Sequence, residues 1–157
     1  MPDNAQVHER GTHRAQHFEL GAHGEAVAIE LLERKGYRIV AANFSLPIGR
    51  NTRDVIVNAE IDVVAYDGPT LCFIEVKTRA SDEIAPQTNV DRRKRRQIAR
   101  AARGYRRMFG LMDSPFRYDV ISVVAKPDDT RPRIELHKAF WTDEQLRKKH
   151  WHGPYWD

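Results

Sequence analysis

Two apolar runs, Val57–Tyr66 and Leu71–Arg79, are separated only by Asp67-Gly68-Pro69-Thr70. Gly-Pro is a strong break, and so short a break between two strand-like runs dictates an antiparallel hairpin. Read as a four-residue loop, it sets Asp62 directly across from Glu75. Alternate residues of a strand share a face, so Glu75 and Lys77 point one way while Cys72, Ile74 and Val76 point the other. Two carboxylates and an ammonium thus converge on a mostly apolar sheet.

Two nearby carboxylates resist joint ionisation, and one is normally driven to its protonated form. A hard divalent cation removes the conflict, because Mg²⁺ takes oxygen ligands at about 2.1 Å and keeps water positions open. A lysine beside it can position or deprotonate a water, and together these are the parts of a metal-dependent phosphodiesterase site. The competing reading is a solvated Asp, Glu and Lys at strand ends, whose pairing contributes little.

A helix is predicted from about Ala15 to Lys35, stopping at Gly36 as its C′ glycine. On a helical wheel Phe18, Ala22, Ile29 and Leu32 form one narrow stripe, and Glu25 falls inside it. Burying a carboxylate is costly unless it is paired or bound to metal. Glu25 is therefore expected to face something polar beneath the helix, with the Asp62/Glu75/Lys77 patch as the candidate. The alternative is a glutamate at the edge of the stripe that reaches solvent along its stem.

A second helix starts at Asp91 or Asn89 as N-cap and ends near Gly110. From Arg92 to Arg107 it carries nine Lys or Arg and no acid. Ile98, Ala101, Ala102, Tyr105 and Phe109 recur at three- and four-residue steps and form its expected buried stripe. Arg92, Arg93, Arg96, Arg100, Arg103 and Arg107 cluster on the opposite face. Lys94 lies in line with Ile98 and Tyr105, so it should point toward the sheet and meet a phosphate or one of the carboxylates. Solvated faces usually mix charge signs, because like charges at i,i+4 repel. Six unbalanced arginines favour a polyphosphate partner, with the steep salt dependence that phosphate neutralisation brings.

Elsewhere, Tyr37–Phe44 reads as a first strand and Ser45–Asn58 as a long loop or hairpin excursion around Pro47 and Gly49. Ala80–Val90 is a loop, Tyr118–Lys126 a strand, Pro127-Asp128-Asp129-Thr130 a turn and Arg133–Phe140 a further strand. Thr142 caps a short helix through His150, with Glu144 and Gln145 near its third position. The order predicts one α/β domain: a central mixed five-stranded sheet flanked by helices on both faces. Residues 1–16 read as a polar N-terminal segment, 17–141 as the α/β domain, and 142–157 as a C-terminal helix and aromatic tail.

With 157 residues, 41% of them hydrophobic, the chain can build one real core. Its net charge of +4 and pI of 9.4 are modest, but the excess is concentrated on one helix. Cys72 has no disulfide partner, which points to a reducing compartment, and a thiol inside a strand reads as inert packing. No run approaches the ~20 apolar residues of a membrane span, and Met1–His17 lacks a signal-peptide core. Cytoplasmic residence without membrane partners is the expectation. His13 and His17 have a spacing that suits zinc, flanked by His8 and His23, but no cysteine supports them. Trp141, Trp151 and Trp156 read as packing or interface anchors.

The segments Gly21-x-x-Gly24-Glu25-x-x-Ala28, Gly36-Tyr37-x-Ile39-Val40-x-x-Asn43, Glu60-Ile61-Asp62-Val63-Val64 and Phe73-Ile74-Glu75-Val76-Lys77-Thr78-Arg79 follow one another in an order that resembles the YraN-type family. Lys94-Arg95 and Tyr118-Asp119-Val120-Ile121 extend the likeness, which spans about residues 18–125. That family is similar to restriction-endonuclease-like enzymes, among them archaeal Holliday-junction resolvases. The resemblance implies that Asp62 and Glu75, with the Val76 carbonyl, hold Mg²⁺ or Mn²⁺. It implies that Lys77 is the catalytic lysine, and that Glu25 is the helix acid that contributes to the metal site, through a second ion or its water. Lys94 matches the family's second-helix lysine. Ala59 stands where the family has glycine, and Ser45–Asn58 is longer than in the family; both changes bear on the substrate entrance.

Residues and resemblance together predict a metal-dependent endonuclease acting on DNA more readily than RNA, on branched or repair intermediates. The arginine face would grip the backbone without base readout, and a homodimer follows by analogy with resolvase-like folds. Two other readings remain: a non-catalytic nucleic-acid-binding protein on a nuclease fold, and a scaffold whose basic helix binds an acidic protein.

Overall fold

Strand formation in this chain follows its β-branched and aromatic runs, and its helices supply the two layers that bury them. The computed structural model describes residues 21–80, 90–125 and 131–147. Helix α1 covers 21–34 within them. It is followed by β1 (Arg38–Arg50), β2 (Ile56–Asp67), β3 (Thr70–Ala80), α2 (Arg92–Met108), β4 (Phe116–Ala125), β5 (Arg133–Trp141) and α3 (Asp143–Leu146). The strands form one sheet in sequence order. All neighbours are antiparallel except β3 and β4, whose parallel pairing is bridged by α2. This is the mixed five-stranded α/β sheet of the restriction-endonuclease-like class.

Each face carries one long helix, and the short α3 joins α2 on its face. Ala28 and Leu32 of α1 pack on Val63, Ala65, Cys72, Ile74, Ile121 and Val123. Ile98, Ala101, Ala102 and Tyr105 of α2 pack on Ile61, Val64, Phe73, Tyr118 and Val120. Trp141 closes this second core, stacked on Tyr118 at 4.8 Å between ring centroids. The expected stripes hold with two corrections. Ala22 is exposed on α1, and Phe109 is 53% exposed because α2 has already ended at Met108, with Phe109 as C-cap.

Two glycines allow the layers to touch. A methyl group at Gly24 would overlap the Thr78 hydroxyl and sit 3.1 Å from the Thr78 Cβ. At Gly104 it would come within 2.9 Å of Leu46 Cδ2. So α1 lies directly on β3, and α2 directly on β1.

Of the two readings of Ser45–Asn58, loop or hairpin excursion, the hairpin holds, and the segment is mostly strand. β1 continues to Arg50 and meets β2 as far as Ile56, with the register slipping between Pro47 and Gly49. Pro47 and Gly49 mark that irregularity, where a proline and a glycine are tolerated in a strand. The turn is held by Asn51, whose side-chain oxygen accepts from the Arg53 and Val55 amides at 2.9 and 3.0 Å. The β2–β3 hairpin keeps the predicted register but turns on two residues, not four: Asp67 pairs with Thr70 across Gly68-Pro69. Gly68 has φ +57, the positive value that such a turn requires at its first central position.

Asp91 caps α2, accepting from the Lys94 amide at 2.8 Å. α3 stops at Leu146 rather than His150, since Arg147 is already extended (φ −64, ψ 137). Its start is as expected: Thr142 is the N-cap and its amide donates to Gln145. Cys72 is buried and its thiol is pushed up to about 12 by burial, which makes it inert packing. The expected helix start near Ala15 with Phe18, the expected loop around Pro86 with Asn89, the expected turn at 127–130, and His8, His13, His17, Trp151 and Trp156 lie outside the described residues.

Candidate metal centre

β2 changes faces where the chemistry gathers. Val63 packs under α1 and Val64 under α2, yet Ala59 and Ile61 also lie under α2. The two-residue alternation is therefore interrupted at Asp62. The neighbouring strand bends at the same level: Asn43, between Ala42↔Val63 and Phe44↔Ile61, has φ +51. On the other side the β2–β3 pairing ends at Val63↔Ile74. The next available amide, that of Val76, donates instead to Asp62 Oδ2 at 2.8 Å. A local break in alternation re-aims a side chain without ending the strand.

The result is a cavity of about 270 Å³ lined by Gly21, Glu25, Asp62, Glu75, Val76, Lys77 and Thr78. Glu25, Asp62, Glu75 and Lys77, three of them far apart in sequence, thus share one cavity. Glu25 arrives from α1 because Gly24 lets that helix rest on Thr78. Glu75 ends the apolar core of β3 and is 5% exposed. Lys94 comes from the first turn of α2, its ammonium 3.9 Å from Glu75 Oε1. Of the two partners expected for this inward lysine, it meets the carboxylate.

The acids conflict electrostatically, as carboxylates gathered in one place must. Burial, then the charge of Asp62, pushes the Glu75 carboxyl up to about 8, against the opposing pull of Lys94 and Lys77. Glu25 is also raised, first by burial and then by Asp62. One Glu75 oxygen, Oε2, is buried with no hydrogen-bond partner.

Glu60, to which sequence reasoning gave no role, joins the acidic cluster. Glu25, Glu60 and Asp62 each offer an oxygen within 4.8 Å of the others. With its amide turned to suit its neighbours, Asn43 donates to Glu25 Oε2 at 2.9 Å and to Glu60 Oε1 at 3.0 Å. The only signal was its spacing, two residues from Asp62; the interruption of alternation that gathers these side chains is not written in that spacing. The Glu25/Glu60/Asp62 cluster, with the unpartnered Glu75 Oε2 in the cavity that Glu25 and Asp62 also line, suits a hard divalent cation with oxygen ligands.

All six arginines assigned to the outer face of α2 are exposed: Arg92, Arg93, Arg96, Arg100, Arg103 and Arg107. Two are also tied down. Arg92 donates to the carbonyls of Leu146 and Arg147 at 3.2 and 3.3 Å, and Arg100 to that of Ile48. Among the described residues none of the six makes an ion pair. Arg95 and Arg106 instead turn inward, over Phe140 and Phe116.

Residues 24–123 match the profile of the uncharacterised protein family UPF0102, and the match takes in every carboxylate of the cavity. The chain belongs to the UPF0102 family. A UPF0102 protein of Chlorobaculum tepidum is 47% identical over 116 residues, which covers 71% of this chain and 80% of that protein. One from Geotalea uraniireducens is 37% identical over 127 residues, covering 80% and 91%. One from Chlorobium limicola is 42% identical over 130 residues, covering 79% and 93%. UPF0102 is the YraN-like family that the sequence motifs resemble. Among the described residues no helix is long and apolar enough to cross a membrane.

Proposed function

We propose that this chain is a Mg²⁺- or Mn²⁺-dependent endonuclease that hydrolyses phosphodiester bonds in DNA, including branched or repair intermediates. The observation that carries the reading is the shared cavity of Glu25, Asp62, Glu75 and Lys77. Asp62, Glu75 and the Val76 carbonyl would hold one ion, and Glu25 with Glu60 would complete the oxygen set. A divalent ion bound there would supply Lewis acidity and neutralise charge on the phosphodiester.

The chain's own groups do the rest. Lys77 orients the attacking water and steadies the charge that develops on the phosphoryl oxygens. Lys94 acts as counter-charge to Glu75 and keeps that carboxylate directed into the cavity. The Val76 amide fixes Asp62, so this ligand does not need to be ordered when substrate arrives. The arginine face of α2 holds the phosphate backbone, a contact that carries no sequence information.

Purified chain incubated with linear and branched DNA plus Mn²⁺ should cut it, and Glu75→Ala should abolish cutting while the variant still binds DNA. Cleavage that survives Glu75→Ala, or that resists chelation, would overturn the assignment of this cavity. Binding without cleavage in the unmodified chain would leave a nucleic-acid-binding protein on a nuclease fold.

A further inference from the structure

Beyond the carboxylate cavity, the outer face of α2 borders three concavities. Two lie against the β1–β2 hairpin, at about 240 and 330 Å³, and have arginine-rich walls. The third is larger, about 440 Å³, and lies between α2 and α3. Among the described residues it is lined by Arg96, Arg100, Arg103 and Arg147, with Ala99 and Leu146 as its apolar floor. Asp143 also reaches it. The α3 wall is fastened in place. Arg92 donates to the Leu146 and Arg147 carbonyls, and Tyr118 donates to Asp143 Oδ1 at 2.6 Å. That wall lies beyond residues 24–123, so the cavity is not contained in the matched family region.

The composition of the cavity selects a ligand. Four guanidinium groups call for an anion, and arginine binds phosphate bidentately and stacks on flat rings. A phosphate alone would not need the Ala99/Leu146 floor, and the Asp143 carboxylate would repel it. A ligand with a phosphate, a flat apolar body and an amine donor satisfies all three at once. A nucleobase can lay its flat face on apolar side chains, and an acidic side chain accepts from an exocyclic amine such as that of cytosine. The volume falls within the roughly 300–1,000 Å³ of small-molecule sites.

We infer that the α2–α3 cavity is a binding site for one nucleoside monophosphate unit, either carried in a nucleic-acid strand or free. Its phosphate lies against Arg96, Arg103 and Arg147, its base on Ala99 and Leu146, and its amino group toward Asp143. The strand-borne form rests on the proposed action on DNA; the free-nucleotide form does not.

Calorimetric titration of the full chain with dCMP, deoxyribose 5-phosphate and inorganic phosphate tests the site directly. dCMP should bind at least tenfold more tightly than either of the other two. Ala99→Phe, which fills the floor, and Arg147→Glu, a surface change, should each weaken dCMP binding at least tenfold. Unfolding curves establish that both variants are folded. A single-stranded 12-mer supplies the second arm: competition by dCMP for a labelled base in the strand, lost in both variants, assigns the site to a strand unit. If dCMP binds but the 12-mer does not, the site takes free nucleotide and the DNA reading fails on its own. If the 12-mer binds and both variants bind it and dCMP like the parent, the subsite is overturned while the DNA reading stands. Equal affinity for dCMP and phosphate also overturns it.

Discussion

Asp62 accepts the Val76 amide at 2.8 Å, so that one carboxylate takes the place of a rung between β2 and β3. The same side chain faces Glu25 and Glu60. Strand geometry and ligand geometry are therefore one constraint at this residue.

Asp62→Ala should expose that double role. It strands a partly buried amide, at a cost of roughly 1–3 kcal/mol, and the melting temperature should fall by several degrees even in chelator. Asp62→Asn keeps an acceptor and should melt close to the parent while losing divalent-ion binding. Equal thermal losses in the two variants would show that the Val76 contact is not what holds Asp62.

Added Mn²⁺ should raise the melting temperature, since a ligand at a hundredfold excess over its Kd stabilises by about 2.7 kcal/mol. Glu60→Gln should reduce that rise and weaken Mn²⁺ binding by calorimetry. A full Mn²⁺ response in Glu60→Gln would remove Glu60 from the ligand set.

Glu75 makes stability depend on pH. Its carboxyl sits at about 8 in the folded chain against an ordinary 4.5, so the folded state holds a proton that the unfolded state releases. The stability it contributes is full below pH 4.5, declines as pH rises toward about 8, and is gone above that. The slope is at most about 1.4 kcal/mol per pH unit. Urea unfolding of the parent and of Glu75→Gln between pH 5 and 8 checks it: the parent should lose ground relative to the variant as pH rises. Parallel curves would refute the shift.

Gly24→Ala should cost about 1–3 kcal/mol by overpacking against Thr78. Pairing it with Thr78→Ala removes the overlapping hydroxyl and should recover part of that loss. A double-mutant cycle on urea midpoints measures the coupling; strict additivity would mean that α1 does not rest on β3 at this point.

Arg93→Gln and Arg107→Gln should weaken DNA binding without changing the melting temperature. Each lost phosphate contact lowers the slope of log affinity against log salt by about 0.9. Arg92→Gln should instead lower the melting temperature, because it releases the α3 carbonyls. A salt slope unaffected by the Arg93 and Arg107 changes would move the DNA path off this helix.

Much of the site was legible because its signals are local. Gly-Pro between two apolar runs set the Asp62–Glu75 register, and an acid inside an apolar stripe marked Glu25. The β1–β2 hairpin was legible only as one of two readings of Ser45–Asn58, because Pro47 and Gly49 also suit a loop; they sit at a slip in a continuous ladder. Glu60 and Asn43 were hidden because their importance depends on an interruption of alternation at Asp62, a tertiary event. Phe109 keeps helical spacing, but the helix ends one residue before it, and spacing alone does not register an end.

Asn43 has one further consequence. Its amide hands one hydrogen to each of two acids, Glu25 on α1 and Glu60 on β2, so they are held together by a neutral clamp that belongs to the chain. A protein built this way would not need to refold to admit a metal ion at this cluster. Under the proposed metal dependence, scarcity of divalent metal would leave it idle and intact, ready to resume work when the supply returned.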